Sequence, residues 1–101
     1  MQFDVHENRG EGQERAPYLV DLQSDRVVAL RMRVVAPLVK PEFLGSLGRL
    51  HPRINVLDQP YTLSVSELFA IEESRLGPAV GNIGRYRDRI IAAIDVLFTG
   101  V

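Results

Sequence analysis

The spacing of hydrophobic positions changes period near Gly77, and that change divides the chain into a strand-forming stretch and a helix-forming one. From Gln2 to His6 the pattern alternates. Phe3 and Val5 fall on one side and Gln2, Asp4 and His6 on the other, as a half-buried strand requires. The polar, glycine-containing run Glu7 to Ala16 reads as a hairpin loop leading to a second strand, Tyr18 to Leu22. Gln23-Ser24-Asp25 supplies turn residues. Val27 to Ala36 then resumes strand character, through its β-branched content and the alternation of Arg31 and Arg33. Pro37 is expected to stop this strand or mark it as an edge, because proline donates no ladder hydrogen bond. Lys40 to Leu50, interrupted by Pro41, Gly45 and Gly48, predicts short strands or turns. Arg53 to Asp58 and Tyr61 to Val65 predict an antiparallel pair about a turn at Asp58-Gln59-Pro60, with Tyr61, Leu63 and Val65 on one face. Ser66 to Ile71 fits a continued strand or a short helix, and the meander around Pro60 favours strand.

Beyond Gly77-Pro78, apolar side chains recur at Ile83, Tyr86, Ile90, Ile94, Leu97 and Phe98. Steps of three and four predict an amphipathic helix from about Asn82 to Phe98. Gly100 stands where helices commonly end in a left-handed residue. Strands followed by one segregated helix indicate an α+β or mostly β fold: an antiparallel sheet or small barrel with a long C-terminal helix, in a single domain over residues 1–101.

Composition adds exclusions. An apolar fraction of 46% and a charged fraction of 25% are ordinary for a folded domain and exclude disorder of the whole chain. With no cysteine, disulfides, thiolate metal sites and cysteine nucleophiles are excluded. No apolar run suffices to cross a bilayer, and Met1 to His6 lacks a signal-peptide pattern, so a cytoplasmic location and no membrane partner are expected. Net charge is −1, which supplies no global field toward nucleic acid, and no direct sequence-specific DNA contact is expected. Eleven of the twelve basic residues are arginine, a bias that base composition of the coding sequence accounts for.

The candidate chemistry is sparse. His6 and His51 have no second ligand at useful spacing, so they read as surface or partly packed residues. The serines lie in no nucleophile motif, and Gly45-x-x-Gly48 is too short for a phosphate loop. Glu72-Glu73 reads as a solvated turn. No catalytic residue, metal site or cofactor is expected, and the chain does not read as an enzyme. Arg85, Arg87 and Arg89 crowd the start of the final helix, where the helix dipole favours acids; they read as a solvated face or as one awaiting an acidic partner.

Several segments, in order, resemble one family. Met1-Gln2-Phe3-x-Val5, Asp21-Leu22-Gln23-Ser24-Asp25, Arg31-Met32 followed by Pro37-Leu38, Leu50-His51-Pro52, Ala93-Ile94 and Phe98-x-Gly100 are similar to the corresponding segments of CcdB-type toxins, across the whole chain. The resemblance implies an SH3-like antiparallel sheet or barrel with a long C-terminal helix, and a homodimer. It implies the toxin of a toxin–antitoxin pair that binds the DNA gyrase A subunit and traps gyrase on cleaved DNA, without catalysis. It implies neutralisation by an acidic, partly disordered antitoxin.

By position, the resemblance assigns gyrase contact to Phe3, Arg26, Val27, Arg87, Ala92, Asp95, Thr99, Gly100 and Val101. Several of these depart from the family. Thr99 replaces a tryptophan, Val101 an isoleucine, Arg26 and Val27 two isoleucines, Ala92 and Asp95 two asparagines, and Arg87 a glutamate. Tryptophan offers a flat face to an arginine, and losing such an anchor costs about 2–4 kcal/mol. Thr99 therefore motivates a second reading, a non-toxic relative that binds an antitoxin but poisons gyrase poorly. A third reading, an endoribonuclease, rests on fold analogy alone.

Overall fold

The computed structural model describes residues 1–27 and 31–101. Its strands are β1 (Asp4–Glu7), β2 (Tyr18–Asp21), β3 (Met32–Val39), β4 (Arg53–Val56), β5 (Gln59–Leu63), β6 (Phe69–Glu72) and β7 (Ala79–Asn82). They form one antiparallel sheet in the order β4-β5-β3-β2-β1-β7, with β6 also paired to β3. The sheet curls into a half-barrel closed by the helix α1 (Arg87–Thr99), the SH3-like architecture expected from the resemblance. Val28, Ala29 and Leu30, part of the strand predicted over Val27 to Ala36, lie outside the described residues.

The long strand β3 organises the sheet and corrects the expectation for Pro37. One side of β3 pairs with β2 along Val35 to Leu38. The other side changes partner, from β6 at Met32 to Val35 to β5 at Leu38 and Val39. Pro37 falls in the gap between these two ladders. Its carbonyl accepts a hydrogen bond from the Ser64 N–H at 2.9 Å, and its missing N–H faces the same side, where neither ladder needs a donor. Proline therefore sits inside a central strand, neither stopping it nor marking an edge.

Two further boundaries move. The hairpin turn is Leu57-Asp58, one residue earlier than predicted, with Asn55 opposite Pro60 and Val56 opposite Gln59. Both turn residues have positive φ, 51° and 64°, the geometry of a two-residue primed turn that matches strand twist. The helix begins five residues later than predicted. Ala79 to Asn82 are instead captured as β7 by the free edge of β1, with Val5 opposite Gly81 and Asp4 opposite Asn82. Ile83 donates its N–H to the Phe3 carbonyl at 2.9 Å, and a 3-10 turn over Gly84–Tyr86 leads into α1. The ambiguous segment divides between both readings. Val65–Glu67 is a 3-10 turn and Phe69–Glu72 is strand.

The core lies between the concave face of the sheet and α1. Leu38, Ile54, Leu63, Val65 and Ile90 are fully enclosed, and Ile94 and Leu97 pack against them. Burying each such side chain stabilises the fold by about 1.5–3 kcal/mol. The Arg33–Asp21 pair is also buried. Arg33 Nε donates to Asp21 Oδ2 at 2.9 Å, and Gln23 N–H donates to Asp21 Oδ1 at 3.0 Å.

Candidate functional site

Helix α1 presents its outer face and its far end to solvent. Ile90 and Ala93 point into the core, so Ala92, Asp95 and Thr99, at i, i+3 and i+7, share a different face. Asp95 and Thr99 are exposed and Ala92 partly so. The helix closes as Gly100 promised. Gly100 adopts φ 78° and its N–H reaches the Val96 carbonyl at 3.0 Å. The Thr99 hydroxyl donates back to the Asp95 carbonyl at 2.6 Å, so its proton is committed within the helix. Phe98 and Val101 stand out from this end at 68% and 74% exposure. Apolar side chains displayed on an ordered helix end can bind by contact with little ordering cost.

The remaining candidates gather near the start of α1. Arg87 sits 5.8 Å from the Phe3 ring and reaches the Gln2 side-chain oxygen at 3.4 Å. Gln2 donates its N–H to Asp25 Oδ1 at 2.8 Å, which ties the turn carrying Arg26 and Val27 to the amino-terminal segment. Within that turn, Arg26 N–H reaches Ser24 Oγ at 3.2 Å and Val27 N–H reaches the Ser24 carbonyl at 3.0 Å. Arg26 and Val27 are exposed. Phe3 is 4% exposed, a core residue with the Arg87 guanidinium over its ring. Arg87 and Thr99 are about 18 Å apart along the helix axis. The nine candidates thus form two groups at opposite ends of α1, with Ala92 between them.

Two features escaped the sequence reading. Asp21 not only carries a family-like segment but anchors it. Met1's ammonium lies 3.7 Å from Asp21 and 3.2 Å from Asp4, and Val34 N–H donates to the Gln23 side-chain oxygen at 3.1 Å. The signal was an acid closing an apolar run, with Arg31 and Arg33 in the following strand. The second feature joins distant loops. Arg15 holds Glu67 through two hydrogen bonds, of 2.6 and 3.1 Å, and Ser64 Oγ donates to Glu67 at 2.7 Å. The Arg15 hydrogen bond holds the Glu67 carboxyl below its usual range. Nearby, His51 Nε2 lies 2.7 Å from Ser66 Oγ, while buried Nδ1 has no partner; burial lowers the His51 pKa. No spacing rule connects Arg15 to Glu67 or His51 to Ser66, which lie 52 and 15 residues apart in sequence.

His6 is 8% exposed and its Nδ1 donates to the Gly77 carbonyl at 2.7 Å, a packed residue. Among the described residues, no three His, Asp or Glu side chains are grouped to hold a metal ion. Among the described residues, no helix is long and apolar enough to cross a membrane. In comparison with known families, residues 2–100 match the model of the family described as CcdB protein.

Proposed function

The chain belongs to the CcdB family, toxins of toxin–antitoxin pairs of the gyrase-poisoning kind, and from that membership we propose that it binds the DNA gyrase A subunit through the far end of α1 and traps the gyrase–cleaved DNA complex. The observation that carries this reading is the capped helix end, which displays Phe98, Thr99, Gly100 and Val101 outside the subunit. The family acts as toxins and not as known enzymes, which fits action by contact. A protein that binds the cleaved state of gyrase more tightly than the others shifts gyrase into that state. On this reading the chain works in the cytoplasm as a homodimer, without cofactor, and is neutralised by an acidic, partly disordered antitoxin.

One observation favours the second reading, a relative that binds antitoxin but poisons gyrase poorly. Thr99, in place of a stacking tryptophan, donates its hydroxyl proton within the helix and offers a partner a methyl group and an acceptor oxygen but no flat stacking face. Incubation with gyrase, supercoiled DNA and ATP, then detergent and protease, decides between them. Accumulation of linear DNA supports the gyrase poison. Supercoiled DNA left uncleaved, with no linear product at saturating protein, rejects it in favour of the non-toxic relative.

A further inference from the structure

Tyr86 stands where the 3-10 turn over Gly84–Tyr86 passes into α1, and its phenol oxygen joins that turn to β4. The ring is half-buried and packs against the core. Asn55, opposite Pro60 in the β4–β5 hairpin, turns its N–H outward and donates to the Tyr86 oxygen at 3.3 Å. Arg85 Nη2 donates to the same oxygen at 3.1 Å. The Arg85 and Arg89 guanidinium groups lie 4.9 and 5.5 Å from the ring centroid.

A phenol can accept hydrogen bonds and has one proton to give. The Tyr86 oxygen already accepts two, and among the described residues no protein group takes its proton. Ionisation therefore breaks no hydrogen bond within the protein. It strengthens the two that exist, because bonds to an ionised acceptor are the stronger ones. It also bares the oxygen along the direction the proton vacates. The Asn55 hydrogen bond, assisted by Arg85 and Arg89 and opposed by burial, holds the Tyr86 phenol below its ordinary range. The other tyrosines are placed differently. Tyr18 and Tyr61 meet edge to face with ring centroids 5.6 Å apart, and burial, then the charge on Tyr18, pushes the Tyr61 phenol up.

Tyr86 opens onto a cleft of about 490 Å³ that it forms with Arg85, Asp88 and Arg89. Arg89 also borders the adjoining cleft, with Arg49 and Arg53. Asp88 works against a free anion in the first cleft, but a group bonded to Tyr86 is held there by its own covalent link. We propose that Tyr86 is a phosphoryl-acceptor site, whose phenolate takes the terminal phosphoryl group of a nucleoside triphosphate brought by a modifying enzyme. The phenol proton passes to water or to a base of that enzyme. The phenolate oxygen bonds to the terminal phosphorus, and the bond to the departing nucleoside diphosphate breaks. The attached phosphate lies beside the Arg85 guanidinium, which already touches the oxygen that becomes the ester link. This site is separate from the exposed end of α1 and does not depend on contact with gyrase.

The test uses the full chain and diisopropyl fluorophosphate, a phosphoryl donor that loses fluoride as a nucleophile attacks phosphorus. Cleavage at Asp and Glu leaves Tyr18, Tyr61 and Tyr86 on separate peptides, so mass spectrometry scores each one. Tyr86 is expected to be labelled about tenfold faster than Tyr18 or Tyr61, with the advantage lost in urea. Arg85→Gln should slow Tyr86 labelling about three- to tenfold, whereas Arg75→Gln, outside the cleft, should change it less than about twofold. Arg85 is exposed, and circular dichroism checks that its variant keeps the fold. Equal labelling of the three tyrosines overturns the proposal, as does labelling of Tyr86 at the parent rate in Arg85→Gln. So does label concentrated on Ser66, whose Oγ lies 2.7 Å from His51 Nε2.

Discussion

Around Asp21 the chain is fastened from four directions, whereas past Phe98 it is held only by the closing bonds of a single helix. Asp21 accepts from Arg33 and Gln23 and lies near the Met1 ammonium, and its carbonyl accepts the Phe3 N–H at 2.6 Å. Its side chain is 2% exposed, and Arg33's 10%. At the other region, Phe98 and Val101 are largely in solvent. The segment Asp21 to Asp25 is thus built into the fold, whereas Thr99, the position that departs most from the family, is exposed and its side chain bonds only within α1. Residues that hold a network resist change because each has several partners to satisfy.

The sharpest way to break this contrast is to remove Asp21. Asp21→Ala leaves Arg33 buried without its carboxylate and should cost about 3–5 kcal/mol in urea unfolding. A loss below about 1 kcal/mol would mean that the network does not hold the region. Thr99→Trp tests the other side. It should leave unfolding stability within about 0.5 kcal/mol. Affinity for the gyrase A subunit, measured by calorimetry, should rise about 30- to 1,000-fold, equivalent to about 2–4 kcal/mol. A large stability change with no gain in affinity would invert the comparison.

A third prediction separates two titrations. Burial places the His51 pKa below its ordinary value in the fold, so the neutral ring is favoured. Its stabilising effect is complete above the unfolded pKa of about 6.5 and is lost as pH falls from there toward the folded value. Glu67, lowered chiefly by Arg15, loses its contribution only below the ordinary glutamate range. His51→Gln should flatten the stability profile just below pH 6.5 and leave the more acidic decline intact, as read by thermal melts across pH. If the profile is unchanged in the His51 window, the buried ring is not its source.

The smallest effect is expected at the Leu57-Asp58 turn. Leu57 holds φ 51° and is 62% exposed, a conformation that Asn and Gly adopt more readily. Leu57→Asn with Asp58→Gly should raise stability by about 1 kcal/mol and leave binding at the helix end unchanged. A destabilised double variant would show that Leu57 contributes packing that its exposure conceals.

Local pattern made much of this architecture legible. Alternation located β1 and β5, apolar runs bounded by turn residues located β2 and β4, and the spacing of Ile90, Ile94 and Leu97 located α1, because each signal lies within one element. The turn residues between Asp21 and Asp25 were equally plain. What failed was whatever depended on a neighbour. Ile83 and Tyr86 extend the helical period, yet the open edge of β1 claims Ala79 to Asn82, since pairing there satisfies backbone groups that a longer helix would leave to solvent. Pro37 is forbidden in a central strand unless the facing strand changes at that residue, and only the sheet decides where β6 ends and β5 begins.

The sequence by itself determined the helix end: its apolar stripe, its glycine cap and the threonine that stands before it, all written within a few consecutive residues. Only the tertiary structure decided that Phe3 is enclosed, that Arg87 lies over it, and that Arg49, Arg53, Arg85 and Arg89 converge on one flank. The physical reason is range. Caps and periodicity act within one or two helical turns, whereas charge convergence and burial depend on which distant segments the hydrophobic core brings together.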